Sequence, residues 1–219
     1  MDDLNVMQRI AVCALPVLFA ITVHEVAHGW IALRLGDKTA LMLGRLTLNP
    51  VRHIDPVGTI LLPGLMLAIG TGFIFGWAKP VPVTWENLRH PKRDMALVAV
   101  AGPLANLLMA LMWAFIMKLG YTLVAPSAAW AAQPMVYMGE AGIFINIVLM
   151  VLNLLPIPPL DGSRVIASIL PDRIAWKFNR IENYGFLILL LLLATGVLER
   201  IMAPPVFGLA AYLYRLFGL

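Results

Sequence analysis

Two histidines four residues apart, with a glutamate after the first, stand out as chemistry-bearing: His24-Glu25-Val26-Ala27-His28. On an α-helix, positions i and i+4 share a face, so both imidazoles can grip one metal ion. Glu25 then lies within reach of water at that ion. Zinc acidifies such water to a pKa of about 7, and a neighbouring carboxylate takes the proton and passes it to the leaving amine. This is the mechanism behind the HExxH pattern. The flanking sequence, from Ile10 to Val23 and again from Trp30 to Leu33, is apolar. A charged residue near a bilayer centre costs at least about 2.5–3.5 kcal/mol, which argues against Glu25 as inert filler.

A catalytic zinc takes three protein ligands and keeps a fourth position open. The other histidines, His53 and His90, fall in basic stretches. The acidic candidates near apolar segments are Asp55, Glu140 and Asp161. Asp161 follows Asn153-Leu-Leu-Pro-Ile-Pro-Pro-Leu at the end of an apolar run, where the prolines break the helix and let it turn inward. As residues alone, Asp161-Gly162 reads equally well as a turn closing a helix.

These residues sit in a chain that needs lipid. Of the 219 residues, 61% are hydrophobic and 13% charged, against about 25% charged in soluble domains; the mean hydropathy is +0.85. Apolar segments run over Val6–Leu35, Met95–Leu119, Met135–Leu155, Tyr184–Leu198 and Met202–Leu213. A sixth, Val57–Phe75, is interrupted by Pro63, Gly64, Gly70 and Gly72. The expected fold is an all-α polytopic membrane protein with about five transmembrane helices, a re-entrant or sixth membrane segment, and a small cytoplasmic-side β element. The first segment resembles a signal peptide but continues beyond the motif to the length of a span, so it reads as retained. The single cysteine, Cys13, forms no internal disulfide and reads as core filler.

Charge supplies orientation. Twelve of the sixteen Lys and Arg residues lie in three groups: Arg34 to Arg52, Lys79 to Arg93, and Arg164 to Arg180. The net charge of +4 therefore reads as cytoplasmic loops rather than a nucleic-acid surface. The N-terminus, with Asp2 and Asp3, falls outside, and the active site lies toward the cytoplasm of a cell (inner) membrane. This topology requires 57–75 to begin and end on one side, as a re-entrant segment, although a full crossing is the ordinary alternative. Trp77-Ala-Lys-Pro-Val-Pro-Val83 reads as extended chain, either a cytoplasmic linker or an edge that lies beside the metal and pairs with substrate backbone.

The motifs His24–His28 and Asn153-x-x-Pro156-x-Pro158-x-Leu160-Asp161-Gly162 resemble the two signatures of the site-2 proteases, a family of intramembrane zinc metalloproteases. Gly44–Pro50, His53–Thr59, Gly76–Val83 and Ala101–Asn106 are similar to its small bacterial and archaeal branch, which lacks a PDZ or CBS domain. The likeness covers residues 20 to 165. It implies one zinc held by His24, His28 and Asp161, with Glu25 as general base. Asn153 would orient substrate or stabilise an oxyanion, and Asn106 is either a similar group or an interhelical hydrogen-bonding residue. His53 is expected to cap a loop or line the cytoplasmic side. The resemblance also implies cleavage within the transmembrane segment of a single-span membrane-protein substrate. One membrane-embedded peptidase domain fills 1–219, with a catalytic core over 6–165 and a C-terminal helix pair over 182–219 that would gate substrate access. The rival reading, a metal-ion transporter, would predict inverted repeats, and none is visible in the sequence.

Overall fold

The computed structural model describes residues 4–69, 76–123 and 129–219. Three long helices carry the architecture: α1 (Val6–Arg34), α4 (Pro91–Thr122) and α5 (Ala129–Asn153). Between α1 and α4 lie the short α2 (Thr39–Met42) and α3 (Leu62–Ile69); after α5 come α6 (Asp161–Ile169), α7 (Asp172–Asn179), α8 (Glu182–Ala194) and α9 (Val197–Phe217). An Asn5–Gln8 capping box starts α1, satisfying amides that a helix end leaves orphaned.

The three long helices alternate in direction. His28 meets Val98 while Ala20 meets Asn106, so α1 and α4 are antiparallel. Trp113 packs at Gly142 and Met117 at Gly139, so α4 and α5 are antiparallel as well. A Cβ added at Gly142 would fall 2.2 Å from the Trp113 ring, so only glycine permits this approach; close contact through small residues is how helices associate in lipid. Met109, Trp113 and Met117 of α4, Ile143, Ile147 and Met150 of α5, and Val206, Ala210 and Leu213 of α9 make the main apolar core.

The end of α1, the start of α4 and the end of α5 therefore share one end of the bundle. All three basic groups belong to chain at that end, the arrangement expected from charge. Asp37 ties it together, accepting from Thr39 N and Oγ1, Thr84 N and Asn87 Nδ2. Burial pushes the Asp37 carboxyl up, and these hydrogen bonds outweigh burial, holding it below the usual carboxylate range.

Two expectations change. Among the described residues, three helices are long and apolar enough to cross a membrane, or up to four if the α8–α9 pair, bent by 80°, is one span; the expectation of about five is not met. The 13 residues of α8 rise only about 20 Å, short of a hydrocarbon core of about 30 Å. Gly196, at φ 69°, allows the break. The β element is also missing: among the described residues no strand forms, and 76–84 runs as irregular extended chain. Pro80 and Pro82 offer no donors, while Trp77 N, Lys79 N and Val81 N donate to Gly58 O, His53 O and Glu25 Oε2.

The residues at the ends of the segment 57–75, Gly58–Thr59 and Trp77, lie in contact with each other. Its start is wound as a wide π-type helix over Pro56–Leu61, continuing into α3. Gly58 O accepts from Trp77 N at 3.1 Å, and Thr59 Oγ1 donates to Trp77 O at 2.8 Å. Residues 70–75, with Gly70 and Gly72, lie outside the described residues.

Candidate metal centre

His24 and His28 point from one face of α1 into the bundle, 7% and 8% exposed. Their Nε2 atoms are 3.0 Å apart. Asp161, the first residue of α6, brings Oδ2 to 3.3 Å from His24 Nε2 and 3.2 Å from His28 Nε2. The chain places it there by doubling back after α5. Gly162 allows the turn to press on that helix end, since a Cβ there would lie 2.3 Å from Leu154 O. The structure thus brings together the three predicted ligands; they are also the group among the described residues able to hold a metal ion.

The donor chemistry fits a cation. His28 Nδ1 lies 2.7 Å from Val98 O. A carbonyl only accepts, so Nδ1 carries the proton and Nε2 presents a lone pair to the centre. Asp161 Oδ2 is buried without a hydrogen-bond partner. Lone pairs converging on one point repel unless a positive ion sits among them. Zinc with bonds of 2.0–2.1 Å in a tetrahedron separates its ligands by about 3.3 Å, close to the separations here.

Gly102 of α4 closes one side. A Cβ at this position would fall 2.4 Å from His28 Nε2 and 2.5 Å from His24 Cε1. On another side, Glu25 Oε2 accepts from Val81 N at 2.7 Å. Arg45 holds the same extended segment, donating from Nη2 to Lys79 O at 2.8 Å. Gly29 lets Val81 lie against α1, since a Cβ on that glycine would come within 2.8 Å of Val81 Cγ1.

The remaining candidates make hydrogen bonds of their own rather than joining the three donors. Asn153 ends α5 and donates from Nδ2 to Leu149 O at 2.9 Å, within its own helix, rather than to the three donors. Asn106 is fully buried and meets His24 Nδ1 at 2.6 Å, behind the ring rather than before it. His53 is 2% exposed and meets Thr47 O at 2.8 Å, so it caps a loop and lines no surface. Sequence reasoning missed Gly102, Val98 O and Asn146. Asn146 carried a usable signal, a polar residue amid the apolar run Ile143 to Met150.

Residues 118–195 match the profile of Peptidase family M50. A Bacillus subtilis protein named "Putative zinc metalloprotease YwhC" is 37% identical over 187 residues, covering 85% of this chain and 82% of the relative. The chain belongs to peptidase family M50. A Mycolicibacterium smegmatis protein named "Putative zinc metalloprotease Rip2" is 34% identical over 185 residues, 84% of this chain and 66% of the relative. Its Mycobacterium tuberculosis namesake is 29% identical over 201 residues, 92% of this chain and 72% of the relative. No solved structure gives a match. The M50 profile spans Asn153–Gly162 and begins after His24–His28. As an M50 member the chain is a metalloendopeptidase, and its apolar helices make it a membrane protein.

Proposed function

We propose that this M50 peptidase is an intramembrane zinc endopeptidase that cuts the transmembrane segment of single-span membrane proteins. The observation that carries the reading is the convergence of His24 Nε2, His28 Nε2 and Asp161 Oδ2 within 3.0–3.3 Å, with both histidines on the apolar helix α1 and next to Glu25. In this proposal those three atoms hold the zinc. Zinc bound there supplies Lewis acidity, polarising a peptide carbonyl and acidifying water. Glu25 takes the proton from the attacking water and delivers it to the leaving nitrogen. Asn153 orients the substrate backbone through its carbonyl oxygen.

The contact of Trp77 with Gly58 supports the re-entrant reading of 57–75. A single crossing would separate the two ends by about 30 Å. With the basic groups at the same end, the proposed topology has the N-terminus outside, three or four crossings, and the centre facing the cytoplasm of the inner membrane. Substrate helices must unwind locally, and the α8–α9 pair, joined to Trp77 by the Phe186 ring at 5.4 Å, is placed to admit them.

The test uses purified protein in liposomes with a single-span protein tagged at both ends. Zinc-dependent cleavage at a bond inside the hydrophobic stretch is expected by mass spectrometry. Cuts confined to aqueous loops would refute the intramembrane part, and zinc uptake without cleavage would favour a transporter.

Val81 provides a finer test. Val81→Pro deletes the N–H that fixes Glu25, whereas Val81→Ala keeps it. The proline variant is expected to cleave about 10- to 100-fold more slowly, the equivalent of a hydrogen bond to a charged group, with zinc content unchanged. The alanine variant should stay near wild type; equal loss in both would assign the effect to the side chain.

A further inference from the structure

His24 is held from behind by a chain of buried amides that begins on the backbone of α5. Asn146 Nδ2 donates to Gly142 O at 2.8 Å. Asn146 Oδ1 accepts from Asn106 Nδ2 at 2.9 Å, and the same Nδ2 lies 3.3 Å from Ala20 O. Asn106 Oδ1 meets His24 Nδ1 at 2.6 Å. Both asparagines are 0% exposed.

The order of donors and acceptors in this chain is forced. An amide side chain can present either end to a neighbour, and the hydrogen-bond network decides which. Gly142 O can only accept, so Asn146 must offer it Nδ2 and turn Oδ1 toward Asn106. Asn106 must then offer Nδ2 to that oxygen, where Ala20 O, also only an acceptor, reinforces the choice. Its Oδ1 is left facing His24 and accepts from Nδ1–H, so Nε2 carries the lone pair.

We propose that Asn106 and Asn146 form a polarity relay that sets the tautomer and orientation of His24 for metal binding. The proposal rests on the reading of His24 as a zinc ligand. Both asparagines are positioning residues, since neither touches the reacting atoms. His28 needs no relay because Val98 O serves it directly. At His24 the acceptor is a side chain, and Ala20 O alone, at 3.3 Å, would hold its direction only weakly. The second asparagine, anchored on a carbonyl, removes that freedom. A plain interhelical staple between α4 and α5 would account for the Asn106–Asn146 bond but not for the contact to His24 or for the consistent direction of the chain.

The test is metal binding by the purified full-length protein, stripped of metal and titrated with Zn2+ against a chromophoric chelator, with the visible spectrum of the Co2+-loaded form as a second readout. Asn106→Leu is expected to weaken zinc binding about 10- to 100-fold, as loss of a ligand's supporting hydrogen bond does, and to shift the Co2+ bands as the ring turns. Asn106→Asp keeps an oxygen toward His24 but sets a second acceptor against Asn146 Oδ1 and Ala20 O, so it should recover part of the affinity lost in Asn106→Leu. Asn146→Leu should weaken binding less than Asn106→Leu, and the double variant no more than Asn106→Leu alone, because both act through one contact. If Asn106→Leu does not fold, Asn146→Leu reads the same quantity. Wild-type affinity and spectrum in the leucine variants, with only a lower melting temperature, would overturn the relay and leave a staple. A wild-type protein that binds no zinc would overturn the metal reading and the relay with it.

Discussion

Glu25→Gln is expected to leave zinc content unchanged and to slow cleavage by about 10²–10⁴-fold, the usual contribution of a positioned general base. Glutamine keeps the shape of the side chain and an oxygen for Val81 N, now 2.7 Å from Glu25 Oε2, so the extended segment stays in place. It lacks a site for the proton that water must give up. His24, His28 and Asp161 are untouched, which separates the metal from the chemistry. The check is metal analysis and single-turnover cleavage on one preparation. Cleavage at the wild-type rate would remove Glu25 from the mechanism, and loss of zinc would recast it as a fourth ligand.

The second large effect is steric. Gly102→Ala places a methyl group 2.4 Å from His28 Nε2 and 2.5 Å from His24 Cε1, about 1 Å inside ordinary contact. Ligand constellations tolerate displacements of about 0.5 Å, so the imidazoles must leave their converged positions. We expect zinc affinity to fall at least about 100-fold and cleavage to fall with it. Alanine is the better helix former by about 1 kcal/mol, so the helical content of the variant should persist. Circular dichroism and metal titration together decide the case. Unchanged zinc affinity would mean that α1 and α4 can part to admit the methyl group, and that Gly102 does not shape the centre.

Much of this arrangement is legible in the residues alone. Helices α1, α4 and α5 announce themselves as apolar runs, and the i, i+4 spacing puts His24 and His28 on one face. Asp161 is ambiguous as a residue and becomes a ligand candidate through its motif; the fold then brings it to 3.2 Å from His28. What stays hidden depends on backbone or on geometry across helices. Val98 O has no signature, because every residue has a carbonyl. Gly102 looks like any small residue until its distance to two rings is known. Hydropathy reads 184–198 and 202–213 as two spans, since it registers composition and is blind to the 80° bend at Gly196. The prolines that suggest an edge strand at 77–83 also remove two of its donors, at Pro80 and Pro82, and no strand forms there.

The depth of the centre along α1 decides the fate of the products. His28 and His24 precede Arg34, the last residue of α1, by about 9 and 15 Å at 1.5 Å per residue. Under the proposed function and topology, a substrate cut at that level would keep only about 6–10 apolar residues on its cytoplasmic piece, far below the roughly 20 that hold a helix in a bilayer. That piece partitions into water, while its counterpart remains anchored and needs separate clearance. In that proposed reaction, one hydrolytic event would convert a membrane-tethered domain into a diffusible one without unfolding it. Fractionation after cleavage should find the cytoplasmic piece in the supernatant; recovery of both pieces in the membrane pellet would place the cut deeper than the histidines.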